Sequence, residues 1–138
     1  MQELMGVIMV WLTATFALPE VREPPRIRYM PPAQIAEIRY GRSGVGVGDV
    51  VSVYNDLTGT IILAPDWNSR NVNDVSVLVH ELVHHMQNRG SMTFACPQER
   101  EALAYEAQQR WLELFDTDLE NAFGIDPFSL LVKTNCMY

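Results

Sequence analysis

The apolar positions of this chain change their period several times, and each change marks an element. Val75, Leu78, Val79, Leu82 and Met86 recur three or four residues apart, the spacing that lines one face of an α-helix. Ser76, Val77, His80, Glu81, His84, Gln87 and Asn88 fall on the other side. The pattern predicts a helix whose histidines and glutamate sit at the margin between core and solvent, with Asn73 or Asp74 as its cap and Gly90 as a left-handed stop. A second helix is expected over residues 97–115. Along it, Glu101 shares a face with Ala104, Tyr105, Gln108, Trp111, Leu112 and Phe115, and this stripe turns inward. Glu99 instead shares a face with Ala102, Leu103, Glu106, Arg110 and Glu113, which is mostly a solvent stripe.

Shorter elements surround this pair. Alternation over residues 26–30, bracketed by Pro24-Pro25 and Pro31-Pro32, suggests a short strand or an exposed arm. Pro32 then occupies the first turn of a helix through residues 33–40, ended by Gly41. Residues 50–55 and 60–64 are β-rich runs joined by Asp56-Leu57-Thr58-Gly59, which reads as a hairpin. An edge strand beside the motif helix would be able to hold an extended peptide by strand addition. Gly44, Gly46 and Gly48 alternate without phosphate-loop spacing, so a flexible turn leading into a strand is expected there and not a nucleotide site. Residues 65–72 form a loop that could wall one side of the cleft, and its Trp67 is either a core aromatic, the favoured reading, or a substrate contact. Asp116-Thr117-Asp118 breaks the second long helix and caps a short segment ending at Gly124, and Asp126-Pro127 opens a last helix.

The first apolar run, residues 4–18, carries no charge. It is short against the roughly 20 residues that span a bilayer, and it suits the core of a signal peptide cleaved after Thr15-Phe16-Ala17. Met1-Gln2-Glu3 lacks the basic residues of an ordinary leader, which leaves an uncleaved anchor or a buried apolar helix as alternatives. The expected organisation is a signal peptide or N-terminal anchor over residues 1–18 and one domain over residues 19–138. Composition agrees with a single core, since 48% of the 138 residues are apolar. A net charge of −7 argues against a nucleic-acid partner or an anionic membrane surface, so any membrane contact would run through the N-terminal segment. The sequence does not specify an oligomeric state.

Chemistry concentrates in one place. All three histidines lie in the segment His80-Glu81-Leu82-Val83-His84-His85, which contains H-E-x-x-H. On a helix His80 and His84 stand one turn apart on one face and can offer nitrogens to a single metal ion. Glu81 beside them can take a proton from a water held at that ion. A catalytic zinc typically takes three protein ligands, so a third donor is required. Periodicity favours Glu101 for it, with Glu99 in reserve.

His80-Glu81-x-x-His84 followed seventeen positions later by Glu101-x-x-Ala104 resembles the gluzincin group of zinc metallopeptidases. Val77 before the motif, Leu82 and Val83 within it and Met86 after it match the uncharged positions of the broader zincin pattern. The resemblance covers the two helices and their connection. It implies His80, His84 and Glu101 as zinc ligands, Glu81 as catalytic base and a peptide or protein as substrate. One departure is Tyr105, which stands where an acidic residue often follows the alanine and would support a ligand histidine.

The expected fold is therefore α+β: a minimal zincin-like domain with a small sheet or hairpin packed on the motif helix and a following glutamate-bearing helix. The expected activity is zinc-dependent amide hydrolysis. Tyr105 and His85 are the nearby candidates for stabilising an oxyanion. A non-catalytic, metal-stabilised binding or interaction protein is the alternative, and hydrolysis of a non-peptide amide or a cell-wall crosslink is chemically equivalent. Cys96 and Cys136 form an even pair that an oxidising compartment would bond, consistent with an exported protein, periplasmic or secreted.

Overall fold

Thr60, Ile61, Ile62 and Leu63 are buried without interruption, as a strand covered on both faces must be. A computed structural model describes residues 1–40 and 52–136, and in it these four residues form the central strand, β3 (Thr60–Leu63). The preceding elements are α1 (Gln2–Phe16), β1 (Arg26–Tyr29), α2 (Pro32–Tyr40) and β2 (Ser52–Asn55). After β3 come α3 (Val72–Arg89), α4 (Pro97–Glu113), α5 (Leu119–Phe123) and α6 (Pro127–Thr134). The fold is α+β, with a mixed sheet of order β1-β3-β2. β1 runs parallel to β3 and β2 antiparallel, so the expected strand and hairpin are both present. The expected glycine turn at Gly44 to Gly48, the start of the first hairpin run and the Gly41 helix stop lie outside the described residues.

Alternation along β3 divides the core. Ile61 and Leu63 point into the cluster built on α3, while Ile62 and Ala64 pack with Ile35 and Ala36 of α2. The sheet is thus sandwiched between helices, and α3 is the most enclosed of them. Every residue from Val75 to Gln87 is buried, including the face expected to border solvent. The reason is tertiary: α4 crosses over that face, and Ala104 and Ala107, both fully buried, let the two helices approach closely. The motif side chains therefore sit inside the molecule.

Two details of α3 differ from expectation. Its cap is Asn71, whose side chain accepts from the Asp74 N–H at 3.1 Å. Asp74 is drawn off to the loop, where its carboxylate accepts from Asn68 N, and its carbonyl accepts from the core-packed Trp67 indole. Gly90 has φ −82°, and the left-handed residue is Ser91 at φ 56°. What position 90 requires is the absence of a side chain, because a Cβ there would lie 2.6 Å from Pro19 Cγ and 2.8 Å from Met86 O.

At the start of α4 the Cys96 Sγ accepts from Glu99 N, and the Glu99 carboxylate reaches back to Ala95 N at 3.0 Å. Cys96 is bonded to Cys136, which ties the chain after α6 to the head of α4. Structural disulfides persist mainly in oxidising compartments. Among the described residues no helix is long and apolar enough to cross a membrane. α1, which occupies the residues of the apolar N-terminal run, packs on α3 and buries Met5, Ile8, Met9 and Leu12 in the main core.

Candidate metal centre

The two motif histidines follow from the helical repeat: one turn apart on α3, their rings lie edge to face with centroids 5.0 Å apart. Both project beneath α4, which returns Glu101 to them. Glu101 Oε2 is 2.8 Å from His80 Nε2, and Oε1 is 3.1 Å from His84 Nε2. One carboxylate spans both rings. Ligand atoms on a tetrahedral zinc with bonds of about 2.0–2.1 Å would be separated by roughly 3.3 Å, and each of these two glutamate–histidine contacts is close to that spacing, through a different oxygen to each ring. Nitrogen and carboxylate oxygen are also the donor chemistry that zinc takes.

A second carboxylate is close. Ligand atoms of His80, Glu81 and His84 all lie within 4.8 Å of one another, so this buried trio could also hold a metal ion. Two observations separate the carboxylates. Glu101 contacts both Nε2 atoms directly, whereas Glu81 Oε2 accepts a 2.8 Å hydrogen bond from the Ser52 hydroxyl at the head of β2. Glu81 is thereby held beside the histidines, with one oxygen already engaged.

The outer nitrogens of the rings are equally well defined. His80 Nδ1 lies 2.9 Å from Gln108 Oε1, and His84 Nδ1 lies 2.9 Å from Gln87 Oε1. Tyr105 packs its ring edge-on against His80 at 4.5 Å. Arg100, beside Glu101, forms a two-pronged salt bridge to Asp56 at 2.8 and 2.5 Å and also donates to the His84 carbonyl. The hairpin turn is thus clamped to α4 where it meets α3.

Electrostatics follow from this packing. Burial by itself would raise the Glu101 carboxyl, but hydrogen bonds from His80 and His84 and the charges of both rings hold it well below the usual carboxylate range. His84 moves the other way: burial disfavours its cation, but the hydrogen bond to Glu101 and the charges of Glu101 and Glu81 raise it overall.

The other candidates from sequence fall elsewhere. Glu99 is an exposed helix-capping side chain whose carboxylate accepts from Ala95 N. His85 is 1% exposed and points to the opposite side of α3, with Nε2 on the Glu23 carbonyl at 2.7 Å and Nδ1 on the Tyr54 hydroxyl at 2.9 Å. Its nitrogens are committed to holding β2 and the irregular segment that leads into β1, which removes it as an oxyanion donor. Burial pushes its pKa down, against the opposing bond to the Glu23 carbonyl. Ser52, Gln87 and Gln108 were not singled out by the motif. Gln108 shares the Glu101 stripe, which was the available signal for it.

All of residues 1–138 match a family described as a domain of unknown function, DUF6647. The chain belongs to that family. No match was found among curated proteins, and none among solved structures. The DUF6647 assignment spans α1 and α6 as well as α3 and α4, so the disulfide and the buried N-terminal helix lie within the matched region.

Proposed function

We propose that this chain is a zinc-dependent hydrolase of peptide (amide) bonds, resembling the gluzincins. The observation that carries the reading is the convergence of the Glu101 carboxylate on both motif imidazoles. His80, His84 and Glu101 would hold the ion. Bound there, zinc would polarise a substrate carbonyl and lower the pKa of a water toward about 7.

The remaining chemistry falls to the chain. Ser52 fixes one oxygen of Glu81, leaving the other to accept the water's proton and pass it to the leaving amine as the C–N bond breaks. The near-complete burial of Glu81, 2% exposed, keeps bulk water from competing for that proton. Among the described residues β2 is one of the two outer strands of the sheet, and its Ser52 and Tyr54 both reach α3, so a substrate strand aligned with β2 would run past Glu81. Tyr105, against the His80 ring, is the residue of this face suited to donate to a developing oxyanion. The disulfide supports export to a periplasmic or extracellular space.

The test joins metal analysis to a peptide-library cleavage screen. Wild type should carry one zinc and cleave, while Glu81→Gln should keep the zinc and lose hydrolysis by about 100-fold or more. Equal behaviour of the two proteins in the screen would leave a metal-stabilised binding protein as the better description.

A further inference from the structure

Both ligand imidazoles are backed by glutamine, and in each case the direction of the hydrogen bonds can be deduced from a backbone carbonyl. Gln87 Nε2 donates to Arg100 O at 3.1 Å. A carbonyl can only accept, so the amide's NH2 must face Arg100 and its Oε1 must face His84. Oε1 can only accept in turn, so His84 Nδ1 must carry a hydrogen. The second chain is one link longer. The Ser76 hydroxyl donates to Asn73 O at 2.7 Å, which uses its only hydrogen. Its oxygen must therefore accept the 3.2 Å contact from Gln108 Nε2, which turns Gln108 Oε1 toward His80 Nδ1. His80 Nδ1 must then carry a hydrogen as well.

We propose that Gln87 and Gln108 are positioning residues that set both imidazoles in the Nδ1–H form with Nε2 as the metal-binding atom. This rests on the metal reading above. The two chains end on fixed backbone, Arg100 O in α4 and Asn73 O in α3, so the polarity of each is set by the fold. Gln87, Gln108 and Ser76 are all buried, leaving no bulk water to substitute for a lost partner. Gln87 has a second effect. It bonds the ring of one ligand to the backbone of Arg100, next in sequence to Glu101, and so couples His84 to the helix that brings the third donor. A neutral amide orients the ring without adding charge, in contrast to the carboxylate that commonly backs a metal-bound histidine.

The experiment uses the full chain loaded with zinc alone. Two-bond proton–nitrogen NMR correlations on the wild type should show His80 and His84 each with a protonated Nδ1 and a bare Nε2. A pattern with Nδ1 bare on either ring would overturn the proposal without any variant. Zinc affinity by chelator competition should fall about 10–100-fold in Gln87→Leu and in Gln108→Leu. Ser76→Ala, a gentler change that removes only the acceptor behind Gln108, should weaken affinity in the same direction by less. Circular dichroism would identify a variant that fails to fold, and the wild-type NMR pattern and the other variants would then decide. Zinc-binding wild type with unchanged affinity in folded Gln variants sinks this inference alone. Wild type that takes up no zinc, or that keeps it equally in His84→Ala, sinks the metal reading too.

Discussion

Glu101 Oε1 stands 3.1 Å from His84 Nε2, although seventeen positions of chain and the end of one helix separate the two residues. The same carboxylate touches His80 at 2.8 Å, so a single side chain of α4 closes the pair on α3.

Glu101→Gln should lower zinc affinity by at least about 100-fold, because it removes an anionic donor from a three-donor set. Glu99→Gln is the control. Its carboxylate caps Ala95 N at the head of α4, so its loss should cost on the order of 1 kcal/mol or less in stability and leave zinc affinity unchanged. Chelator competition on both variants measures the difference, and equal affinities would refute the assignment of the third donor.

Without metal, the Glu101–His84 contact becomes an ion pair with a bell-shaped pH dependence. The Glu101 carboxyl is depressed on folding, so its contribution is present above the unfolded value of about 4.3 and is lost as pH falls through the folded one. The His84 imidazole is raised, so its contribution is present below the unfolded value of about 6.5 and is lost as pH rises through the folded one. Chelator-treated protein should therefore gain most from the pair between roughly pH 4.3 and 6.5. Urea denaturation across pH should show that maximum in wild type and lose it in His84→Ala. Zinc-loaded protein should behave oppositely at the alkaline side, since metal binding requires the His84 proton to leave.

How much of this was legible depends on the range of the interaction. The stripe Val75, Leu78, Val79, Leu82, Met86 and the position of Glu101 on the inward face of α4 are local, periodic facts, and both hold in the fold. Burial of the polar side of α3 is not local. It depends on α4 crossing at Ala104 and Ala107, and no period within α3 encodes that crossing. The bond from Ser52 to Glu81 spans 29 positions and a sheet, and a lone serine in a β-rich run gives no sign of it. Asn71, Asn73 and Asp74 are all good caps by type, and the choice of Asn71 follows from how the Trp67 loop engages Asp74.

α1 makes a prediction about the N-terminus. A leader removed after Ala17 would take with it Met5, Ile8 and Leu12, at most 2% exposed, whose burial contributes about 1.5–3 kcal/mol each. That sum rivals much of the 5–15 kcal/mol that stabilises an ordinary domain. Residues 19–138 expressed alone should therefore show a much lower urea midpoint than the full chain, with the part of α3 that α1 packs on uncovered. An unchanged midpoint would show that α1 is dispensable to the fold, as expected of a cleaved leader. Intact mass of protein recovered from its native compartment would then report which form persists.

The disulfide supplies the last prediction. α6 buries none of its residues completely, and Phe128 and Leu131 remain largely exposed, so packing alone holds it weakly against α4. The Cys96–Cys136 bond closes a loop of sequence separation 40, which in the chain-entropy account contributes about 4 kcal/mol by restricting the unfolded state. Cys136→Ser should lower stability by up to that amount and open α6 to proteolysis. Zinc stoichiometry should stay at one, because His80, His84 and Glu101 are joined through α3 and the body of α4 and not through α6. Cleavage sites mapped by mass spectrometry, read beside metal content, separate the two effects. Loss of zinc with α6 still resistant would mean instead that the bond acts on the head of α4, where Cys96 caps the helix two turns before Ala104.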